Sequence, residues 1–405
     1  MEAILYLTAI GVILLLGLIV TLIGKKLKLG NVLLLLLLGI GLHYVNPVAN
    51  NLFALPQIFI VSVAILTLAM IVFDGSSRFK LKEVDQVYLA ALKMSSWNLV
   101  LNAVILAPLI AILFYGGLTG EALPFALMFS FLMAATDAGS VFTIFKERTH
   151  KIIQYLEVEA VINTPITVLL PFIVLDFVKA GQGFIPGFIS QVVPFIQQVF
   201  VGAGAGLVLG IIVLKVMKNV YSEQLSPIGL MVAALLSYTL AETLGGNGVL
   251  AVAVLGLMFG NFYVKQKGQL QEFSSILSNS LEILVFVLIG LSIYRELPFI
   301  FYVKALLGFI ILLLVRYLTV SFSFRKSEVK AKEKLFMTLN IPKGIAVAVV
   351  ALTLGSTTFA SDASAMTQTT LSLILAFLAY SLILASIVER YAHKFLHVPK
   401  NPQPK

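Results

Sequence analysis

The chain has no cysteine and only four histidines, His43, His150, His393 and His397. Disulfides and thiolate metal sites are thereby excluded, and the histidines form no visible metal constellation. Charge is also scarce, with 12% of the 405 residues Asp, Glu, Lys or Arg against 60% hydrophobic. A soluble domain carries roughly 25% charged residues, so a soluble globular fold is excluded. No Walker sequence, Rossmann fingerprint or Ser/His/Asp grouping is present, which argues against an ATP-driven pump or a membrane hydrolase. No cofactor and no enzymatic reaction are expected.

What the chain has instead is a succession of thirteen apolar runs. Each approaches the ~20 residues that a helix needs to cross a ~30 Å hydrocarbon layer. They fall near 3–23, 31–46, 55–75, 88–115, 122–146, 152–178, 192–217, 226–243, 247–264, 271–293, 297–321, 335–356 and 367–389. The fold class expected is an all-α integral membrane protein in which residues 1–405 make one transmembrane domain. The first run has no basic residue before it and Lys25, Lys26 and Lys28 after it, the reverse of a secretory signal, so it is expected to stay in the mature protein.

The net charge of +9 has a topological explanation. Of the 28 Lys and Arg, only Lys179 and Arg295 fall in even-numbered loops, while the odd-numbered loops and the C-terminal tail hold most of the rest. The positive-inside rule then predicts an external N-terminus and a cytoplasmic C-terminus. Nucleic acid is not an expected partner; the lipid bilayer is. The short tail favours a prokaryotic plasma membrane.

Four basic residues fall inside spans: Lys93, Lys304, Arg316 and Lys343. A charge at bilayer depth costs at least ~2.5 kcal/mol on insertion scales, so each needs a partner, a wet cavity or a snorkelling route to an interface. Lys93 and Lys304 lie within snorkelling reach. Asp137, Asn163 and Lys343 are expected at one depth near the bilayer centre. Spans 5 and 12 are both interrupted by helix-unfriendly sequence, Ala134 to Ser140 in one and Asn340 to Gly344 in the other. Thirteen spans permit two inverted six-helix repeats around a linker span, with the broken helices 5 and 12 equivalent, a pattern of secondary transporters. In span 6, Glu159 and Asn163 share a helix face, as do Ala160 and Thr164, whereas Glu157 points elsewhere. Pro165 leaves the Val161 carbonyl without an intrahelical bond. Gly202, Gly206 and Gly210 recur every four residues in the linker span and predict close helix approach.

Several runs occur in a telling order: Ala135-Thr136-Asp137 with Phe145-Lys146, Glu159 to Asn163, Gly245 to Ala251 with Gly260-Asn261, Val285 to Leu291, and Pro342-Lys343-Gly344. In this order they resemble the monovalent cation:proton antiporter superfamily, its electroneutral first branch of sodium/proton exchangers in particular. The resemblance implies a thirteen-helix inverted-repeat fold whose helices 5 and 12 cross at the ion site. It implies a transport core within 88–178 and 297–389 that moves against a dimerisation scaffold within 1–75 and 226–293. The implied activity is exchange of a monovalent cation, Na⁺ foremost with K⁺ or Li⁺ as alternatives, for protons by alternating access, in a homodimer.

The sequence departs from that family at the chemical centre. The family's Asn-Asp in span 6 is Asn163-Thr164, its frequent Ser one turn earlier is Ala160, and the Arg of its Pro-Arg-Gly motif is Lys343. Asp137 is the first candidate for the carboxylate that binds cation and proton alternately; its other reading is neutralisation of the half-helix ends. Thr136, Asn163 and Thr164 are candidate neutral oxygen ligands or packing groups. Asp74 matches a family acid beside the site, or pairs with Arg78 at the surface. Glu159 and Arg316 are expected to form a supporting ion pair, with Glu159 the nearest alternative carboxylate, and Lys343 to offset the helix crossing. The second reading of the departures is a degenerate member acting as a regulatory subunit, sensor or leak.

Overall fold

In hydrocarbon every backbone N–H and C=O must be satisfied within the protein, so apolar runs of this length become helices. The computed structural model describes residues 2–396, apart from 28–29, 47–51, 54, 80–85, 138–150, 181–183, 220–221, 294–295, 326 and 357–360. The first half comprises α1 Glu2–Leu27, α2 Asn31–Val45, α3 Gln57–Ser77, α4 Gln86–Leu101, α5 Ala107–Tyr115, α6 Ala122–Ala134 and α7 Lys151–Ala180. A long α8, Phe184–Asn219, leads to α9 Leu225–Thr243, α10 Gly248–Asn261, α11 Lys267–Ile293 and α12 Phe299–Ser323. The chain closes with α13 Ala331–Leu339, α14 Ile345–Ser356, α15 Ser361–Arg390 and the short α16 Ala392–Phe395.

Among the described residues nine helical spans are long and apolar enough to cross a membrane, and four shorter apolar helices accompany them: α2, α6, α10 and α14. The structure refines several expected spans. Span 4 is one rod, α4 and α5 joined by a π turn at Asn102–Leu106. Span 5 is helical only to Ala134, and its remainder beyond Asp137 lies outside the described residues. The linker span begins at Phe184 and runs through Pro194. Span 6 likewise continues as helix through Pro165. Span 12 is two helices, α13 and α14, separated at Asn340 to Gly344.

Two groups of helices meet around α14. One group joins α2, α3, α8, α10 and α11; the other joins α4, α6, α7, α12 and α15, and α14 packs on α3, α11, α7 and α15. Close backbone approach holds the first group. A Cβ on Gly39 would meet the Gly290 Cα at 2.9 Å, and one on Gly290 would meet the Ile40 nitrogen at 2.8 Å. The Gly202, Gly206 and Gly210 row lies against Asn247, Ala251 and Met258, so the four-residue spacing marks the α8–α10 seam.

Candidate ion-binding site at the helix crossing

The interruption of α6 is built by its last carbonyls. The helix ends at Ala134, and Ala135 turns to extended backbone at φ −60°, ψ 142°. The exposed C-terminal carbonyls carry partial negative charge and need donors. Lys343 Nζ donates to Met133 O at 2.6 Å and Ala135 O at 2.7 Å. Between them, Ala134 O accepts from Asn163 Nδ2 at 2.6 Å and Asn98 Nδ2 at 2.9 Å. Lys343 is 1% exposed, so its charge is offset by dipoles rather than by water.

The opposite end has the complementary arrangement. Asp137 N donates to Pro342 O at 3.0 Å, which ties the two interrupted segments together. The Asp137 side chain lies over Gly344, where a Cβ would meet its Cγ at 2.5 Å. Gly344 O accepts from Ala348 N in the first turn of α14, so the carboxylate lies at a helix N-terminus, the end that favours an anion. Lys343 and Asp137 thus attend opposite helix poles.

A buried ion pair braces the crossing. Arg316 Nη2 donates to Glu159 Oε2 at 2.6 Å, Nη1 donates to Oε1, and Nε donates to Met337 O at 3.4 Å. Glu159 is fully buried and Arg316 is 1% exposed, so α7, α12 and α13 are joined through one guanidinium. Its planar fork supplies the bidentate geometry that a lysine lacks.

Neutral oxygens surround this framework. Thr136 Oγ1 and Asn163 Oδ1 are buried and have no hydrogen-bond partner among the described residues. Thr164 is half-buried and its hydroxyl donates to Ala160 O at 2.7 Å, leaving only lone pairs for a ligand. Asp74 stands apart at the end of α3, where Arg78 Nε and Nη2 donate to it at 3.3 and 3.2 Å. Its carboxylate also faces the Ser274 hydroxyl of α11. Lys93 and Lys304 are exposed.

Two contributors went unseen in the sequence. Asn98 was hidden because its partner is a backbone carbonyl, although the nearby π turn widens that helix beside it, and Asn102 Nδ2 donates to Asn98 O at 2.7 Å. Glu282 is a half-buried acid in α11 whose charge interacts with that of Asp137. Its signal was available as Gln271, Ser274, Ser278 and Glu282 at helical spacing.

Residues 11–390 match the family model described as sodium/hydrogen exchanger, transmembrane. The Na⁺/H⁺ antiporter NhaG of Bacillus atrophaeus is 30% identical over 198 residues, which cover 43% of this chain and 35% of that relative. The chain therefore spans about a third of the length of this curated relative. Two structures of the sodium proton antiporter MjNhaP1 from Methanocaldococcus jannaschii share the fold. One, at pH 8, has 21% identity and a TM-score of 0.78 over 98% of both chains. The other, an electron-microscopy structure, has 22% identity and the same TM-score over 99% of this chain and all of that one. With a family model spanning nearly its whole length and this helix architecture, the chain belongs to the sodium/hydrogen exchanger family.

Proposed function

We propose that the protein is a secondary antiporter that exchanges a monovalent cation, Na⁺ foremost, for protons across a membrane. The single observation that carries this reading is the Asp137 carboxylate at the crossing of two interrupted helices, beside the buried, unpartnered oxygen of Thr136. Family membership supports it, as does the similarity to NhaG and MjNhaP1, both sodium/proton antiporters.

Competition at one carboxylate couples the two fluxes. A cation displaces the proton from Asp137 and is held by that charge, with Thr136, Asn163 and Thr164 offering neutral oxygens. An ionised, empty carboxylate is costly to carry through a low-dielectric barrier, so the loaded forms are favoured for the passage. Lys343, Asn98 and Asn163 keep the α6 pole satisfied while the load changes. The pairing of interrupted helices near mid-membrane is the arrangement used by inverted-repeat transporters. In this reading two inverted six-helix repeats supply a moving core within 88–178 and 297–389 and a scaffold within 1–75 and 226–293 that forms a homodimer. The N-terminus lies outside and the C-terminus in the cytoplasm of a prokaryotic cell.

The test is reconstitution into liposomes containing a pH-sensitive dye, with an imposed proton gradient and addition of Na⁺, Li⁺, K⁺ or Rb⁺ in turn. The expected result is collapse of the gradient by one of these cations, undiminished under voltage clamp, and loss of that response in Asp137→Asn. Survival of full flux in Asp137→Asn would overturn the site. A folded wild-type protein silent to every cation would overturn the activity.

A further inference from the structure

We propose that Glu282 is the second carboxylate of the ion site, sharing the bound cation with Asp137, and that the polar face of α11, closed in this structure, is its aqueous approach in the open state of the alternating-access cycle. This rests on the antiport reading above and names a ligand that replaces the carboxylate missing at Thr164.

The placement follows from the faces of α11. Ile283, Val287 and Gly290 meet Gly17, Gly39 and Leu36 of α1 and α2, which fixes one side of the helix. Gln271, Ser274, Ser278 and Glu282 succeed one another every three or four residues on a different side. That side faces the end of α3, because Gln271 Nε2 donates to Ser77 O at 3.0 Å and Ser274 faces Asp74. Further along, α11 packs on α14, the helix that starts beside Gly344 and the Asp137 carboxylate. The row therefore runs from the Asp74 end of α3 toward the crossing.

Chemistry singles out Glu282 within the row. It makes no hydrogen bond or ion pair with any described residue, and its charge is felt by Asp137. An intramembrane acid without a countercharge is expensive unless water or an ion attends it. Of the helices packed on α11, α14 carries no charged residue, Asp74 on α3 is paired with Arg78, and Glu242 on α9 accepts from Gly248 N at 2.8 Å. One turn away, Ser278 is 4% exposed and its Oγ has no hydrogen-bond partner among the described residues. Asn163 Oδ1, fully buried, is likewise unpartnered at the crossing. Two acids and unpartnered neutral oxygens form a hard-oxygen donor set suited to a small cation.

The test measures Na⁺ binding to the purified full-length protein in detergent by calorimetry, with protons released on NaCl addition recorded in weak buffer. Glu282→Gln is expected to weaken Na⁺ binding at least about tenfold and to reduce proton release, since a lost charged partner costs about that much. Glu282→Asp, which keeps the carboxylate, is expected to retain most of both. Wild-type affinity and proton release in Glu282→Gln would overturn this assignment and leave the antiport reading standing. A wild-type protein that binds none of Na⁺, Li⁺ and K⁺ would overturn both. Because the chain has no cysteine, Ser278→Cys creates a single thiol. Since position 278 is buried in this structure, a charged, membrane-impermeant thiol reagent is expected to modify it through the open state of the cycle, more slowly in Na⁺, and a thiol that stays unmodified would overturn the aqueous approach whether or not Glu282→Gln folds.

Discussion

Lys343 reaches across the fold to donate to the Ala135 carbonyl at 2.7 Å, so a side chain from one interrupted helix completes the backbone of the other. With Met133 O at 2.6 Å on the same ammonium, two buried acceptors depend on it. Lys343→Met is therefore expected to destabilise the protein by about 2 kcal/mol or more, since each orphaned buried acceptor costs roughly 1–3 kcal/mol. A lowered thermal-unfolding midpoint in detergent, partly recovered in Lys343→Arg, checks it; an unchanged midpoint in Lys343→Met refutes it.

The Glu159 and Arg316 pair allows a double-mutant cycle. Arg316→Leu leaves a buried carboxylate alone and is expected to cost about 3–5 kcal/mol. Glu159→Met combined with Arg316→Leu removes both charges and is expected to cost less than either single change. Additive losses measured by thermal or denaturant unfolding would show that the pair is not energetically coupled.

Gly344 tests the fit of the Asp137 side chain. In Gly344→Ala the new methyl would sit 2.5 Å from Asp137 Cγ, forcing the carboxylate to move at an overpacking cost of about 1–3 kcal/mol. The expected signature in proteoliposomes is a raised KM for the cation in protein that still folds. Gly355→Ala, whose Cβ would find its nearest neighbour at 3.5 Å, serves as the control and should exchange normally.

Position 164 offers a gain-of-function test. Thr164→Asp restores the carboxylate that the family resemblance places there, and is expected to strengthen coupling to Na⁺ or Li⁺. Unchanged cation dependence would show that this position lies off the ion path.

The sequence displayed the parts of this architecture that depend on apolar runs and on special backbone residues. Pro342 and Gly344 marked the break between α13 and α14, and the glycine row at 202, 206 and 210 marked the α8–α10 seam. Lys343 and Arg316 stood out as basic residues in apolar surroundings, and Arg316 meets Glu159. What stayed hidden were partners without a side-chain identity. The carbonyls of Met133 to Ala135 leave no trace in a list of residue types, so Asn98 could not be recognised as their donor. The π turn at Asn102–Leu106 has no composition signal. Glu282 was concealed differently, inside a span whose remaining residues read as scaffold.

Apart from Glu282, which α11 carries, the formal charges of Asp137 and Glu159 against Arg316 and Lys343 sum to zero. The Arg316 fork joins α7, α12 and α13, and Lys343 and the Asp137 N to Pro342 O bond join the α13–α14 break to the end of α6, so these charges travel together if they travel at all. A displacement of this unit through the membrane field then does electrical work only on its cargo. Under the proposed exchange of one sodium ion for one proton on Asp137, both loaded forms carry the same net charge, and the membrane voltage is then expected to have no lever on the cycle.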